Sequence, residues 1–327
     1  MEIAKLSKLI TPSGTMAISN KARVLREQGK PVIGFGAGEP DFPTPEYVIK
    51  DVQAAAEDTS NHKYSPVAGL TILKEEIVRT SELYSGINVK QENVLVSNGG
   101  KHAILTTFMS ILNPGDEVLI PSPYWTTYPE AVKISGGNPV IVDTEFDDDF
   151  KINTDQLDSL KTSKTKVLVW VSPSNPTGVV YTKEEAEKIY NWAFENNVWI
   201  LSDELYEHLV YEGITSPSPA QYDTELNNTI VINGVAKAYS MTGWRVGWII
   251  ANADVIDMAK KIQSHATSNV ANISQIAAYS ALKNGLDETK LMKESFNRRR
   301  LYAIEEFSNI ENINLIKSTG AFYLFPD

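Results

Sequence analysis

The stretch NVLVSNGGKHAILTTFMSILNPGDEVLIP, residues 93–121, decides the fold class. Its first apolar run, residues 93–97, predicts a short buried strand. Residues 101–112 have the periodicity of a helix, which stops at Asn113-Pro114-Gly115. A second apolar run, residues 117–121, predicts the next strand. Strand, helix and strand in this order predict a parallel pair of strands with a helix that covers one face.

The same alternation continues on both sides of this stretch. Apolar runs predict strands at residues 140–142, 166–171, 198–202, 229–232 and 246–251, and helical periodicity covers residues 17–26, 183–196, 254–284 and 290–308. Residues 313–316 and 321–325 predict strands of a second, smaller layer. We therefore predict an α/β fold with a mostly parallel central sheet and helices on both faces. Residues 44–284 would form a large domain, and the chain ends, residues 1–43 with 285–327, a smaller α+β domain.

Composition limits the possible partners and compartments. The formal net charge is −11 over 327 residues, so we expect neither nucleic acid nor an anionic membrane as a partner. The absence of cysteine excludes disulfides and thiolate nucleophiles. The first residues lack the apolar core of a signal peptide, and no apolar run reaches membrane-spanning length. These features favour a cytoplasmic protein.

The spacing of two features argues against a metal site and against dinucleotide binding. The histidines His62, His102, His208 and His265 do not have the spacing of metal ligands, so no metal site is predicted. The glycine-rich stretch GFGAGEPDF, residues 34–42, lacks the spacing of a dinucleotide-binding fingerprint. Pro40 and Pro43 also prevent the helix that should follow such a fingerprint. We interpret this stretch as a loop whose backbone comes close to a substrate.

The strongest chemical candidate is Lys237, in the stretch NGVAKAYSMTGWRVG, residues 233–247. Most lysines are solvated surface charges, and that is the alternative here. Small neighbours, however, leave room for a planar group, and partial burial would lower the pKa of the amine and make it a nucleophile toward an aldehyde. Arg245, eight positions later, has a planar guanidinium group that can bind a phosphate through two parallel N–H groups.

Polar residues follow the ends of several predicted strands. Asp203 follows one strand and lies three positions before Tyr206, and it could be either a helix N-cap or a carboxylate that faces the ligand cleft. Asn175, in the stretch SPSNPTG, residues 172–178, could belong to a turn or point its amide at a ligand. Trp125 could stack on a planar ligand or fill the core. The sequence Asn98-Gly99-Gly100-Lys101 could bind phosphate with backbone N–H groups at a helix N-terminus.

Taken in order, these motifs resemble the fold type I aminotransferases that depend on pyridoxal phosphate. The resemblance is closest to the bacterial subgroup of aspartate and aspartate/prephenate aminotransferases, and it runs from about residue 6 to the last residue. The positions that carry it are Gly38 in Ala-Gly-Glu-Pro-Asp-Phe, Tyr64 in Lys-Tyr-Ser-Pro, Trp125, Asn175 in Asn-Pro-Thr-Gly, Asp203 with Tyr206, Lys237 and Arg245.

The resemblance implies a cofactor-binding role for most of these residues in the large domain. Lys237 would bind pyridoxal phosphate covalently and later move a proton on the substrate Cα. Asp203 would pair with the pyridine nitrogen, and Asn175 and Tyr206 would hold the phenolic oxygen. Trp125 would stack on the ring. The remaining implied cofactor contacts are to the phosphate, from Arg245, from the Gly100 and Lys101 amides, and from Tyr64 of a neighbouring subunit, which implies a homodimer.

The resemblance also implies a substrate site for an acidic amino acid and a 2-oxo acid. Gly38, Trp125 and Asn175 would line it, with the Gly38 backbone at the substrate carboxylate. Lys101 would help to recognise the distal carboxylate, with Thr15 nearby.

Two positions depart from the family pattern. Thr11 stands before Pro12-Ser13, where some dual-specificity relatives carry a lysine, so the resemblance leaves the use of prephenate open. Relatives also continue beyond Gly-Ala-Phe-Tyr into a segment with the arginine that binds the substrate α-carboxylate. This chain stops at Asp327, so we expect it to be a piece of a longer product that transaminates poorly.

Two other classes of function stay open at the level of sequence. One is a pyridoxal-phosphate enzyme of the same fold with another reaction, such as a C–S lyase or a cyclopropane-forming synthase. The other is a regulator that uses an aminotransferase-like domain only to sense a ligand.

Overall fold

A seven-stranded sheet forms the centre of the molecule in the computed structural model, which describes residues 2–36 and 38–327. The strands are β1 (Val94–Ser97), β2 (Glu117–Pro121), β3 (Asn138–Val142), β4 (Thr165–Val171), β5 (Trp199–Asp203), β6 (Thr229–Gly234) and β7 (Gly247–Ile250). Their order across the sheet is β1-β7-β6-β5-β4-β2-β3. Only β7 runs antiparallel to its neighbours, which are β1 and β6. The other pairs are parallel, so the predicted mostly parallel α/β fold is confirmed.

Helices cover both faces of this sheet. They are α1 (Gly14–Glu27), α2 (Glu46–Glu57), α3 (Thr71–Thr80), α4 (Gly100–Ile111), α5 (Thr127–Ile134), α6 (Thr154–Leu160), α7 (Lys183–Glu195), α8 (Ala253–Ala266), α9 (Asn272–Lys283) and α10 (Asp287–Ser308). Each of these helices in the described residues is too short or too polar to span a lipid bilayer.

Alternating strand residues supply the core on the two faces. Val118 and Ile120 of β2 pack in the same cluster as helices α4, α5 and α8. Leu119, between them, packs on the opposite face with residues of α6 and α7. Helices α2, α3 and α9 cover the rest of that opposite face beside β1, β6 and β7. Because both faces are covered, the strands are apolar along their whole length and lack the alternation of a half-exposed sheet.

Residues 254–284, which the sequence predicts as one long helical stretch, form two helices. Helix α8 ends at Ala266, and α9 begins at Asn272. The N–H groups of Thr267 and Ser268 both donate to the Gln263 carbonyl, and Ser268 has a positive φ of 60°. No glycine or proline marks the break, and apolar residues on both sides conceal it.

The strands predicted at residues 313–316 and 321–325 do not form. Leu315 makes only an isolated bridge, to Pro326, and Gly320, just before the second range, makes another to Val210. The segment instead bonds to loops of the large domain, where the Gly178 carbonyl accepts the N–H groups of Thr319 and Gly320. An apolar alternation therefore occurs here without a neighbouring strand to pair with.

Strand β1 lies at an edge of the sheet, and a side chain protects it. The Val96 N–H donates to the Ala68 carbonyl at 3.0 Å. The fully buried Gln263 amide, on α8, donates to the Val96 carbonyl at 2.9 Å and to the Val67 carbonyl at 2.8 Å. Gln263 thus takes the place of a further strand at this edge.

Replacement of Gln263 by leucine should destabilise the fold. The change keeps the side chain's bulk but leaves two buried carbonyl groups without a donor, which costs about 2 kcal/mol. Chemical denaturation measures the free energy of unfolding. Ser264→Ala on the exposed side of the same helix is the control and should change it by less than about 0.5 kcal/mol. Equal stability of Gln263→Leu and the wild type would show that the edge needs no such protection.

Candidate active site

Lys237 lies three residues beyond the end of β6, at the edge of the sheet where the parallel strands end. Its Nζ donates to the Gly38 carbonyl and lies 5.6 Å from the ring centres of Tyr206 and Phe322. Burial lowers the pKa of Lys237 to about 8, although the charges of Glu39 and Asp203 oppose this shift. About a tenth of the amine is therefore neutral, and nucleophilic, at pH 7, far more than for a lysine of ordinary pKa.

Asp203 is the last residue of β5, the strand beside β6, and its side chain is buried. Its Oδ2 accepts the Tyr128 hydroxyl at 2.7 Å, and its Oδ1 accepts the Leu205 N–H at 3.3 Å. Burial raises the pKa of Asp203, while the Tyr128 hydrogen bond and the charge of Lys237 oppose that shift. No α-helix begins here, so the N-cap alternative for Asp203 is wrong. Within the described residues no cation bonds to this carboxylate.

Polar and aromatic side chains lie near Asp203 and its partner Tyr128. The Tyr206 and Tyr323 hydroxyls are hydrogen bonded at 2.5 Å, and burial raises the pKa of Tyr206 well above its usual value. Asn175 is half-buried in a small cavity that Tyr128 also lines, and its amide makes no hydrogen bond within the described residues. The Trp125 ring packs edge-on against Tyr128, with 5.6 Å between ring centres.

A cradle for an anion lies where helix α4 begins. Gly99 precedes the helix with a φ of +85°, and no side chain caps the Gly100 and Lys101 N–H groups. The positive φ of Gly99 favours glycine, and the Arg245 guanidinium comes within 2.5 Å of the place that a Cβ would take. A Cβ on Gly247 would lie 2.8 Å from the Gly100 nitrogen. The absence of a side chain at Gly247 therefore lets β7 approach the helix closely. Free N–H groups beside an exposed arginine suit a phosphate.

Lys101 also faces a second space next to this cradle. Its Nζ lies 4.9 Å above the Trp125 ring, and desolvation, followed by the charge of Arg245, lowers its pKa. It lines a cavity of about 490 Å³ with Thr11, Ser13 and Glu130, among others. Thr15 lies in the first turn of α1, with its hydroxyl 2.9 Å from that of Ser13, but it is not among the residues that line this cavity.

Gly38 and Tyr64 have very different surroundings. Gly38 is held at the centre of the site, because its carbonyl accepts from Lys237 and a Cβ there would lie 2.0 Å from the Tyr323 hydroxyl. Tyr64 is 92% exposed and follows a short helical turn that ends at His62. The structure therefore brings Gly38 together with Lys237, Asp203 and Tyr206, but leaves Tyr64 outside this group.

Sequence reasoning missed three residues that contact the site. Tyr128 bonds to Asp203 across 75 positions of the chain, and no local pattern indicates this pairing. Glu130 accepts both the N–H and the hydroxyl of Thr11, at 2.9 Å each, and so ties the N-terminal segment to α5. Tyr323 was part of the Gly-Ala-Phe-Tyr motif but was given no role. Among the residues that the structure describes, no group of acidic residues and histidines could hold a metal ion.

Residues 30–327 match the model of the family named aminotransferase class I and II. This chain belongs to that family. It is 49% identical over 318 residues to the aspartate aminotransferase of Streptomyces avermitilis, covering 97% of this chain and 78% of that protein. It is 41% identical over 321 residues to the probable aspartate/prephenate aminotransferase of Aquifex aeolicus, covering 97% and 81%. A solved structure, Thermus thermophilus aspartate aminotransferase with maleate, has a TM-score of 0.95 at 36% identity, over 100% of this chain and 85% of that one.

These similarities confirm the predicted family, the fold type and the aminotransferase class of enzyme. Aspartate aminotransferases of this family depend on pyridoxal phosphate. The residues present fit that cofactor. A buried carboxylate without a bonded cation suits a protonated ring nitrogen, a half-buried amide faces a cavity, and the helix N-terminus with Arg245 suits the phosphate.

The rate at which the cofactor-free protein takes up pyridoxal phosphate should follow the titration of Lys237. The neutral amine is the nucleophile, so the rate should rise with pH and level off above about pH 8. Stopped-flow absorbance measures this rate, and Lys237→Ala serves as the control that should show no covalent uptake at any pH. A rate that keeps rising to pH 10.5, the usual lysine value, would contradict the lowered pKa.

Proposed function

We propose that this chain is an aspartate aminotransferase, which transfers the amino group of aspartate or glutamate to a 2-oxo acid by a ping-pong mechanism. One observation carries the proposal. An amine, Lys237, and a buried carboxylate, Asp203, follow the ends of two adjacent parallel strands. An anion cradle of Gly100 and Arg245 lies at the same edge. The aminotransferase names of the relatives support the reaction type over a lyase or a ligand sensor.

Each cofactor contact in the proposal belongs to a residue already placed in the structure. When bound, pyridoxal phosphate supplies an electron-accepting ring that stabilises the negative charge left when the substrate Cα–H bond breaks. Asp203 would hold the ring nitrogen protonated, and Trp125 would stack on the ring. Asn175 and Tyr206 would bind the phenolic oxygen. The Gly100 and Lys101 N–H groups, Arg245 and, from a partner subunit, Tyr64 would bind the phosphate.

Lys237 would do the proton chemistry after the substrate has entered. Its lowered pKa leaves the amine able to take the proton from the substrate Cα and to return a proton in the second half of the reaction. Gly38 would hold the substrate carboxylate near Lys237, because the Lys237 amine and the Gly38 carbonyl are already hydrogen bonded. The aromatic rings of Tyr206 and Phe322, whose centres lie 5.6 Å from Nζ, help to exclude water from this amine.

The preference for an acidic substrate would come from Lys101. This cation lines a cavity of about 490 Å³ beside Trp125, where it could pair with the distal carboxylate. Thr15 would support this recognition by its proximity to Ser13, which lines the same cavity.

The proposal extends to the organisation of the protein. Residues 44–284 would form the large cofactor-binding domain, and residues 1–43 with 285–327 the small one. The exposure of Tyr64, together with that of Met16 and Ile18 on α1, supports a homodimer in which a partner subunit covers these side chains. We also propose that the protein is cytoplasmic.

Addition of aspartate to the protein loaded with pyridoxal phosphate should convert the cofactor to its amino form. The absorbance band of the loaded protein should disappear, and a 2-oxo acid should then restore it, as the ping-pong mechanism requires. Alanine, which lacks the distal carboxylate, should convert the cofactor more slowly than aspartate by at least about tenfold, the effect of a charged hydrogen bond.

Two variants sharpen this test. Lys101→Met should reduce the preference for aspartate over alanine while the protein still binds cofactor. Lys260→Met is the matched control, because Lys260 is an exposed lysine on α8 that is bonded to Asp257 and does not line this cavity, so the preference should stay unchanged. A loaded protein that releases ammonia from aspartate, or whose converted cofactor no 2-oxo acid restores, would overturn the proposed function.

A further inference from the structure

Tyr323 is held rigidly beside the active site by backbone hydrogen bonds on both sides of its segment. The Gly178 carbonyl accepts the N–H groups of Thr319 at 3.1 Å and Gly320 at 2.8 Å. From the other side, the Ala321 N–H donates to the Leu209 carbonyl at 2.8 Å. Residues 178 and 209 belong to the loops that follow the Asn175 and Tyr206 motifs, so the segment joins the two loops. These bonds fix the backbone just before Tyr323 beside the Asn175 and Tyr206 loops.

The Tyr323 hydroxyl has one hydrogen-bond partner within the described residues. It lies 2.5 Å from the Tyr206 hydroxyl, and its ring packs edge-on against that of Tyr206 with 5.6 Å between centres. Its other close neighbour is the backbone of Gly38, which has no Cβ to displace it. Two hydroxyl groups at this distance share one proton, so the proton of the other hydroxyl remains for a further acceptor.

The hydrogen-bond partners of the two hydroxyls decide which one donates. Burial raises the pKa of both tyrosines, so both hydroxyls keep their protons at neutral pH. Within the described residues Tyr206 is the only hydrogen-bond partner of the Tyr323 hydroxyl, so the Tyr323 proton is satisfied only by donation to the Tyr206 oxygen. The proton of Tyr206 is then directed away from Tyr323.

We propose that Tyr323 is a positioning residue whose hydroxyl donates to Tyr206 and thereby directs the Tyr206 proton toward the phenolic oxygen of bound pyridoxal phosphate. This inference rests on the proposed function, because it assigns the cofactor contact to Tyr206. A hydroxyl that both accepts and donates is polarised along the chain of hydrogen bonds, which strengthens its own donation. Tyr323 thus stabilises negative charge on the phenolic oxygen without touching it.

The pH dependence of the bound cofactor's absorbance measures this effect. Donation to the phenolic oxygen favours the cofactor form that has lost a proton, so loss of a donor raises the midpoint of the titration. The other charged and titratable groups around the pair are Asp203, Tyr128, Lys237, Glu39 and Arg245, and they remain in place when Tyr323 is changed.

Replacement of Tyr323 by phenylalanine should raise the midpoint by about half a pH unit to one unit, the range expected for one hydrogen bond. Tyr206→Phe should raise it further. Because Tyr323 acts through Tyr206, the double variant should titrate like Tyr206→Phe alone. A Tyr323→Phe midpoint equal to that of the wild type, or equal shifts in both backgrounds, would overturn the proposal.

Tyr211→Phe is the matched control for a purely structural role of the segment. The Tyr211 hydroxyl donates to the Ala321 carbonyl and supports the same segment, but it makes no hydrogen bond to Tyr206. This variant should lower the melting temperature and keep the wild-type midpoint. A midpoint shift like that of Tyr323→Phe would show that loosening of the segment is the cause, against the proposal. A wild type that binds no cofactor would instead overturn the proposed function itself, and this inference with it.

Discussion

The Asp203 carboxylate, buried at the end of β5, is the constraint on which the rest of the site depends. A carboxylate removed from water is stable only with hydrogen-bond donors or a cation nearby. The Tyr128 hydroxyl supplies one strong bond, and Lys237 supplies charge without a direct bond. The Leu205 N–H adds a longer bond at 3.3 Å, and no cation bonds to this carboxylate within the described residues. We infer that a bound, protonated ring completes it, which makes the site depend on its cofactor for its electrostatic balance.

The topology of the sheet explains how the other groups reach the same place. Strands β5 and β6 are adjacent and parallel, so Asp203 and Lys237 follow the same edge. The antiparallel strand β7 begins at that edge, where Gly247 pairs with both Ser97 and Gly234. Arg245 therefore enters the site just before β7, next to the glycines that open α4. One reversed strand in an otherwise parallel sheet thus brings the cation to the helix N-terminus.

Local motifs made much of this arrangement predictable from the sequence. The strand and helix that flank Gly99-Gly100 appear within a few residues of their predicted bounds, because apolar periodicity and the Asn-Pro-Gly stop act locally. Pairings between distant positions could not be predicted this way. Tyr128 meets Asp203, and Tyr323 meets Tyr206 across 117 positions, only because the fold brings them together. The break after Ala266 was hidden for a similar reason, since it comes from backbone bonds to Gln263 and not from a residue that breaks helices.

The protonation state of the cofactor ring nitrogen shows whether Asp203 pairs with the ring. The protein would be loaded with pyridoxal phosphate that carries nitrogen-15 in the ring, and the chemical shift of that nitrogen would be measured at neutral pH. We expect a protonated nitrogen in the wild type and an unprotonated nitrogen in Asp203→Ala. An unprotonated nitrogen in the wild type, or the same shift in both proteins, would contradict this pairing.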